Sequence, residues 1–305
     1  PGLMSSESAR LLSMGWFRSG TTFLYRTLQK GLASYTHYYE PFNPLIPLLF
    51  QSRENTGADP FKGKRELFDP YRAKESLLLD QFNPSFGQSN FFLSAETRWE
   101  PLDLYLKGLT DEPGPIHLQV NRAMGRLGYL RQLFPEARVI FLVRHPLAVW
   151  CSWHGYPSDP CSPELPLATF QMEPMLQELE IRLPEQTVSY WNFSGSPGGK
   201  PVDRFLNLWG FLHELVMRQI DEFPGFVVLR YEDLICDWDE SISQIESLLG
   251  IQWDRDLLPD PKKDSLERWR DYFGENLPFE ARAVSEPARR VIQSFHYTGE
   301  GTSKP

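Results

Sequence analysis

The sequence predicts an α/β protein, a three-layer sandwich in which helices cover both faces of a central parallel sheet of about five strands. Short apolar runs typical of buried strands alternate along the chain with stretches of helical periodicity. The run Arg138–Val143 (RVIFLV) is almost continuously apolar, as expected for a central strand covered on both faces. The glycine-containing segment Gly15–Thr22 joins the first predicted strand to the first predicted helix, at an edge where such folds bind ligands.

The individual elements follow from apolar patterns and from the residues that end them. Strands are predicted at Arg10–Gly15, Tyr35–Tyr39, Ile116–Val120, Arg138–Val143 and Gly225–Arg230. Helices are predicted at Phe23–Leu32, Pro70–Gln81, Pro101–Leu109, Leu127–Phe134, Leu147–His154, Glu173–Glu180, Val202–Phe223, Asp239–Leu249 and Pro278–Phe295. Pro41 biases Glu40 toward an extended conformation at the end of the second strand.

Residues 1–305 are expected to form a single domain, because open α/β folds reach this size with one core. Residues 43–115 and 157–200 contain many prolines and little regular periodicity. We predict that both stretches are irregular loop insertions over the carboxyl edge of the sheet, where they would cover a bound ligand.

Composition restricts the kinds of partner. The formal net charge of −9 argues against nucleic acid, because a nucleic-acid binder needs a basic face. No apolar run is long enough to cross a membrane. The three cysteines (Cys151, Cys161 and Cys236) show neither metal-ligand spacing nor a disulfide framework, which indicates a cytoplasmic protein.

The segment Gly15–Thr22 (GWFRSGTT) has the glycine spacing of the P-loop of nucleotide-binding proteins, so the predicted fold is P-loop-like. Backbone N–H groups in such a loop surround an anion, and the N-terminus of the following helix adds partial positive charge. Thr21 stands where a P-loop ATPase has its lysine. Arg144 follows the strand after which an ATPase has its magnesium-binding aspartate. The pattern therefore predicts a phosphate-like ligand bound without a metal ion.

Two segments resemble the nucleotide-binding motifs of sulfotransferases. F-R-S-G-T-T is similar to their 5′-phosphosulfate loop, whose usual form is P-[RK]-S-G-[ST]-[TS], although Phe17 replaces the proline. R-V-I-F-L-V-R-H-P-L-A-V-W-C-S resembles their 3′-phosphate segment, in which a serine follows an arginine by eight residues, as Ser152 follows Arg144. F-P-E-A-R-V-I and V-L-R-Y-E-D-L resemble segments of the bacterial and Golgi-type branch of the family.

The resemblance implies that 3′-phosphoadenosine-5′-phosphosulfate (PAPS) is the sulfuryl donor and that 3′,5′-ADP (PAP) is the product. It assigns the 5′-phosphate and the sulfuryl group to Arg18, Ser19, Gly20, Thr21 and Thr22, and the 3′-phosphate to Arg144 and Ser152. Arg18 would also assist the chemistry. A C-terminal segment, Tyr297–Lys304, is a candidate to close over the 3′-phosphate, as a Gly- and Lys-rich segment does in many cytosolic members.

Glu40 is the first candidate for the general base. It ends the second predicted strand, at the same sheet edge as the loop, and Tyr39–Pro41 (YEP) resembles a motif of carbohydrate sulfotransferases in which this glutamate is the base. His117 is the alternative, because cytosolic sulfotransferases use a histidine from a strand in this region. His37 is expected to support the base without contacting the acceptor.

The cation that assists the leaving phosphate stays open. The Golgi-type pattern often has a lysine near position 119, where this chain has Gln119, and the nearest cations are Arg122 and Arg126.

The sequence therefore predicts a sulfotransferase that acts on a hydroxyl or amine of a small-molecule or carbohydrate acceptor, with a carrier-bound acyl chain also open. The two insertions, 43–115 and 157–200, would cover that acceptor. The alternatives are a small-molecule kinase or NTPase of the P-loop type and a nucleotide-binding module without catalytic activity.

Overall fold

The computed structural model describes residues 10–50, 61, 63–155, 172–182, 200–261, 266 and 284–297. Five parallel strands lie in this part of the chain: β1 Arg10–Gly15, β2 Thr36–Tyr39, β3 Ile116–Gln119, β4 Arg138–Val143 and β5 Phe226–Arg230. Their order in the sheet is β2-β3-β1-β4-β5. The central parallel sheet predicted from the sequence is confirmed.

Ten helices flank these strands within the described residues. They are α1 Thr21–Gly31, α2 Glu75–Gln81, α3 Glu100–Thr110, α4 Leu127–Leu133, α5 Pro146–Trp153, α6 Met172–Arg182, α7 Pro201–Met217, α8 Tyr231–Cys236, α9 Trp238–Leu249 and α10 Glu286–Ser294. Shorter 3₁₀ segments occupy Ile46–Phe50, Arg65–Lys74, Pro84–Gly87, Asn121–Arg126, Ile220–Glu222 and Arg255–Leu257. None of the helices in these ranges is both long and apolar enough to cross a membrane.

The sheet has an apolar core on each face, which makes the fold three-layered. Successive side chains of a strand point to opposite faces. In β4, Phe141 therefore packs into one core and Leu142 into the other. Helices α1 and α9 cover one face, and α3, α4, α5, α7 and α10 supply buried residues on the other face. The continuous apolar run of β4 is thus explained by burial on both sides.

Several boundaries differ from those predicted. The predicted helix Val202–Phe223 ends at Met217, because the backbone tightens there and the N–H of Gln219 bonds to the carbonyl of Val216, three residues back. The predicted helix Pro70–Gln81 is α-helical only from Glu75, and Pro70 lies in the preceding 3₁₀ segment.

In the described part of the stretch 43–115, α2 and α3 correspond to the predicted helices Pro70–Gln81 and Pro101–Leu109, and three 3₁₀ segments accompany them. Of the stretch 157–200, the structure describes α6, which matches the predicted helix Glu173–Glu180, and residue 200. The predicted helix Pro278–Phe295 begins outside the described residues, and its described part is α10.

The order of the strands places the ligand-binding edge. Strand β1 pairs with β3 on one side and with β4 on the other. From β1 the sheet extends through β3 to β2 on one side and through β4 to β5 on the other, so the strand order reverses at β1. Ligands of open α/β sheets bind beyond the carboxyl ends of the strands at such a point. The loop that follows β1 and the turn that follows β4 therefore lie side by side at this edge.

Candidate active site

The loop between β1 and α1 has a backbone suited to holding an anion. Arg18 and Gly20 adopt left-handed φ angles of 66° and 91°. The N–H of Ser19 bonds to the carbonyl of Trp16 at 3.1 Å, and α1 begins immediately after Gly20. Left-handed residues next to a helix N-terminus turn successive N–H groups toward one point, which is an anion-binding arrangement. The Ser19 hydroxyl oxygen is buried without a hydrogen-bond partner among the described residues.

Gly20 also allows the loop to lie against the start of α8. A Cβ atom at this position would lie 2.3 Å from the ring of Tyr231. Arg144 is another neighbour of that ring, and its guanidinium carbon lies 4.7 Å from the ring centroid. Tyr231 belongs to the V-L-R-Y-E-D-L segment. It therefore connects that segment to both predicted phosphate sites.

The structure brings Arg18, Arg144 and Ser152 together. Arg144 donates from Nη1 to the carbonyl of Arg18 at 2.9 Å. Arg18 donates from Nε to the Ser152 hydroxyl and from Nη2 to the Ser152 carbonyl, both at 3.2 Å. Arg144 is only 6% exposed, and its Nε has no partner in the described part of the chain. An unpaired buried N–H is costly, so the group points to an anionic partner.

The turn after β4 is held by Glu232, which sequence reasoning did not single out. One carboxylate oxygen accepts from the backbone N–H of His145 at 3.0 Å, and the other accepts from the Tyr297 hydroxyl at 2.7 Å. Burial and the charge of Glu232 raise the pKa of Tyr297 well above its ordinary value. Tyr297 is the described residue of the predicted closing segment Tyr297–Lys304, and the rest of that segment lies outside the described residues.

Glu40 lies directly after β2, at the same edge as the loop. Its carboxylate accepts from Asn121 at Oε1 (2.8 Å) and from Asn43 and Arg122 at Oε2 (3.0 Å each). The neighbouring residue Tyr39 connects Glu40 to the loop, because its hydroxyl lies 2.7 Å from the Thr22 hydroxyl. Burial, with the charge of Glu40, raises the pKa of Tyr39. Tyr39 therefore stays protonated at neutral pH and can donate to the loop.

The sequence profile of the sulfotransferase family matches residues 11–165, just over half of the chain. The chain belongs to the sulfotransferase family. The match covers β1 to α5, and with them the loop, Glu40 and Arg144.

Two solved structures share the fold of this sulfotransferase. The sulfotransferase domain from the curacin biosynthetic pathway has 15% identity and a TM-score of 0.50, with 96% of this chain and 99% of that chain covered. The sulfotransferase domain from the Synechococcus PCC 7002 olefin synthase has 17% identity and a TM-score of 0.50, with 97% of each chain covered. At these identities the likeness shows the fold alone. Comparison with the curated proteins finds no match.

The alternative base, His117, is buried in the sulfotransferase core. It is 0% exposed, and both ring nitrogens are bonded: Nε2 to the Ser13 hydroxyl at 2.7 Å and Nδ1 to Nδ1 of His37 at 2.9 Å. His37 in turn bonds from Nε2 to the carbonyl of Leu32. Burial lowers the pKa of both histidines, and the charge of His37 lowers that of His117 further. His37 thus supports His117 and has no direct contact with Glu40 among the hydrogen bonds that the structure shows.

The hydrogen-bond partners fix the tautomers of this pair. A carbonyl can only accept, so Nε2 of His37 carries a proton, and in the neutral ring Nδ1 is then an acceptor. Nδ1 of His117 must donate to it, which leaves Nε2 of His117 to accept from the Ser13 hydroxyl. Both nitrogens of His117 are therefore used internally, and this arrangement favours Glu40 as the base.

The two arginines near Gln119 have different positions. Arg126 is fully buried and donates to the carbonyls of Phe86, Ser89 and Asn90. Burial lowers its pKa to about 9. Arg126 is therefore occupied in fixing the chain around residues 86–90. Arg122 reaches Glu40 instead, while the Gln119 amide is bonded to Asn121.

Among the residues that contact Glu40 or the loop, Asn43, Asn121 and Tyr231 were not assigned to the site from the sequence. Asn43 and Asn121 are 78 residues apart, and both reach Glu40 because β2 and β3 are neighbours. Their one sequence signal is position, since each follows a predicted strand at the carboxyl edge.

Proposed function

We propose that this sulfotransferase transfers a sulfuryl group from PAPS to a hydroxyl or amine of a small-molecule or carbohydrate acceptor, with Glu40 as the general base. The observation that carries the proposal is the location of Glu40. It lies at the same edge as the phosphate loop and is connected to it through Tyr39 and Thr22.

The residues present fit a nucleotide with anionic groups at two positions. The buried Ser19 hydroxyl and the left-handed backbone at Gly20 form a cradle that would hold the 5′-phosphate and sulfuryl group, together with Arg18, Thr21 and Thr22. The unpaired Nε of Arg144 supports a second anion there, which Ser152 would share as the 3′-phosphate. Arginine suits this role because its guanidinium binds phosphate through more than one N–H group.

In the proposed reaction the acceptor oxygen or nitrogen forms a bond to sulfur while the bond between sulfur and the 5′-phosphate oxygen breaks. The acceptor proton goes to the Glu40 carboxylate, and the electron pair of the broken bond stays on the phosphate. Arg18 and the loop N–H groups stabilise the negative charge that develops on the leaving phosphate. The loop has Thr21 in place of the lysine of a P-loop kinase, and Arg144 follows β4, which favours sulfuryl transfer over ATP hydrolysis.

A labelled-donor screen tests the function. Purified protein is incubated with ³⁵S-labelled PAPS and pools of sugars, phenols, amines and hydroxyacyl carrier proteins. The carriers are included because both structural neighbours come from biosynthetic systems, the curacin pathway and an olefin synthase. Label should move to one class of acceptor. Magnesium-dependent turnover of ATP without sulfuryl transfer would instead establish a kinase or NTPase.

The role of Glu40 is tested by Glu40→Gln, which keeps the size of the side chain and removes the base. We expect turnover to fall by roughly 10²–10⁴-fold, the usual contribution of a general base, while PAP binds as in the wild type. Glu240→Gln, at an exposed position in α9, is the matched control and should have no effect. Loss of PAP binding with normal turnover in Glu40→Gln would contradict the assignment.

The cytoplasmic location stays a prediction.

A further inference from the structure

Glu40 has a backbone conformation that few residues other than glycine adopt. Its φ angle is 47°, in the left-handed region, so the extended conformation predicted from Pro41 is wrong. Its N–H donates to the carbonyl of Gln119 at 2.9 Å, and its carbonyl accepts from the N–H of Asn43 at 2.8 Å. Strained backbone of this kind persists where the surroundings determine it, and it is common at functional sites. This fixed backbone sets the direction in which the Cα–Cβ bond of Glu40 leaves the main chain.

Arg122 joins this side chain to the phosphate loop. Its Nη1 lies 3.0 Å from Oε2 of Glu40, and its guanidinium carbon lies 4.9 Å from the ring centroid of Phe17. The Arg122 and Glu40 side chains are only 10% and 12% exposed, so water screens their attraction weakly. Phe17 is held in turn by the edges of Trp16 and Trp153, at 5.8 and 5.9 Å. Phe17 is also the loop residue that departs from the usual proline of sulfotransferases.

The two carboxylate oxygens of Glu40 are not equivalent. Among the described residues, Oε2 accepts two hydrogen bonds, from Asn43 and Arg122, whereas Oε1 accepts one, from Asn121. A carboxylate oxygen has two lone pairs, so the side-chain donors fill Oε2 and leave one lone pair on Oε1. Oε1 is thus the oxygen with room for an incoming proton.

We propose that Arg122 is the positioning residue of Glu40: it occupies Oε2, directs the acceptor proton to Oε1, and holds the base against the loop through Phe17. The inference rests on the proposed function, because it assigns a role within the same transfer step. In that step the acceptor O–H or N–H proton moves to Oε1, and the electron pair of that bond becomes the new bond to sulfur. The positive charge of Arg122 also offsets the repulsion between the Glu40 carboxylate and the anionic donor.

The test compares Arg122→Gln and Arg122→Lys with the wild type, using ³⁵S-labelled PAPS and the acceptor found by the screen. Arg131→Gln is the control, because Arg131 pairs with Glu222 at the surface. Arg122→Gln should lower kcat by about 10–100-fold, since a buried ion pair at the base is lost. PAP affinity, measured by calorimetry, should stay the same.

The split between kcat and KM separates positioning from a general structural role. Because Arg122 acts through Glu40, Arg122→Gln should lower kcat and leave the KM for PAPS nearly unchanged. Arg122→Lys keeps the positive charge beside Oε2 and should recover part of the lost kcat, but not the contact with Phe17. In a Glu40→Gln background, Arg122→Gln should cause little further loss, because the two residues act together.

Three results would overturn the inference: an unchanged kcat and KM in Arg122→Gln, losses that add in the double variant, or weaker PAP binding with normal kcat. The last would make Arg122 a nucleotide ligand. If Arg122→Gln does not fold, Phe17→Leu takes its place: a lower kcat is expected in the wild-type background but not with Glu40→Gln, and an unchanged kcat would count against the inference. A wild-type protein that transfers label to no acceptor would refute the proposed function itself, which distinguishes the two failures.

Discussion

Replacing His117 with leucine should destabilise the protein strongly without removing a catalytic group. His117 links the Ser13 hydroxyl to His37, and all three side chains are buried. Leucine fills a similar volume but leaves the Ser13 hydroxyl and Nδ1 of His37 without their partner. Each unsatisfied buried group costs about 1–3 kcal/mol, so we expect a loss of roughly 2–6 kcal/mol in the free energy of unfolding. This is a large part of the ~5–15 kcal/mol that stabilises a typical domain.

The same substitution should change how stability depends on pH. Burial holds the folded-state pKa of His37 and His117 below the ordinary value of 6.5, so the unfolded chain binds more protons as the pH falls below 6.5. This stabilisation is therefore complete above pH 6.5 and is lost as the pH falls toward the folded-state pKa values. Each histidine contributes a slope of up to about 1.4 kcal/mol per pH unit, and His117→Leu should remove one such contribution.

Denaturant unfolding of the wild type, His117→Leu and Ser13→Ala between pH 5 and pH 8 measures both effects. Ser13→Ala removes only the terminal donor and should cost about 1 kcal/mol. At pH 8, folded His117→Leu should keep its kcat within roughly one order of magnitude, because in the proposed reaction Glu40 takes the acceptor proton. If the wild type and His117→Leu have the same free energy of unfolding and the same dependence of it on pH, the hydrogen bonds from Ser13 through His117 to His37 are refuted. Complete loss of kcat in folded His117→Leu would make His117 the base instead of Glu40.

Two further substitutions test the phosphate sites. Gly20→Ala combines a left-handed backbone with a Cβ atom 2.3 Å from the Tyr231 ring and should cost about 2–5 kcal/mol. The control Gly114→Ala has a φ angle of 103° but open space around the new atom, so thermal unfolding should show a loss of only about 1–2 kcal/mol. Arg144→Ala should weaken PAP binding by about 10–100-fold in calorimetry and leave the affinity for adenosine 5′-phosphate nearly unchanged. An unchanged preference for the 3′-phosphorylated nucleotide would remove Arg144 from the site.

The elements that the sequence predicted well are those with strong local signals. Strand β4 is apolar at five successive positions. The loop is marked by two glycines at a fixed spacing, directly after the apolar strand β1. The helix start at Thr21 was predicted two residues late, because the loop and the first turn share the Ser-Gly-Thr-Thr residues and no side-chain cap marks the boundary.

The contacts that orient the site could not be predicted from the sequence in the same way. Phe17 meets Arg122 only after β1 and β3 pair, and no local pattern records that approach. The environment of His117 was equally hidden. Residues Ile116–Gln119 alternate between apolar and polar, which is typical of a half-buried strand, yet all four are buried.

In the proposed reaction, the ion pair between Arg122 and Glu40 allows the Glu40 carboxylate to lie beside an anionic donor. Two like charges about 4 Å apart repel by roughly 4 kcal/mol at an effective dielectric constant near 20, which would weaken the binding of the donor. Arg122 makes the pair neutral as a whole, while Oε1 of Glu40 keeps a lone pair for the acceptor proton. Arg18 and Arg144 place two positive charges at the same edge, although the whole chain carries −9. The proposed arrangement thus separates two tasks, attraction of the nucleotide by Arg18 and Arg144 and neutralisation of the base by Arg122.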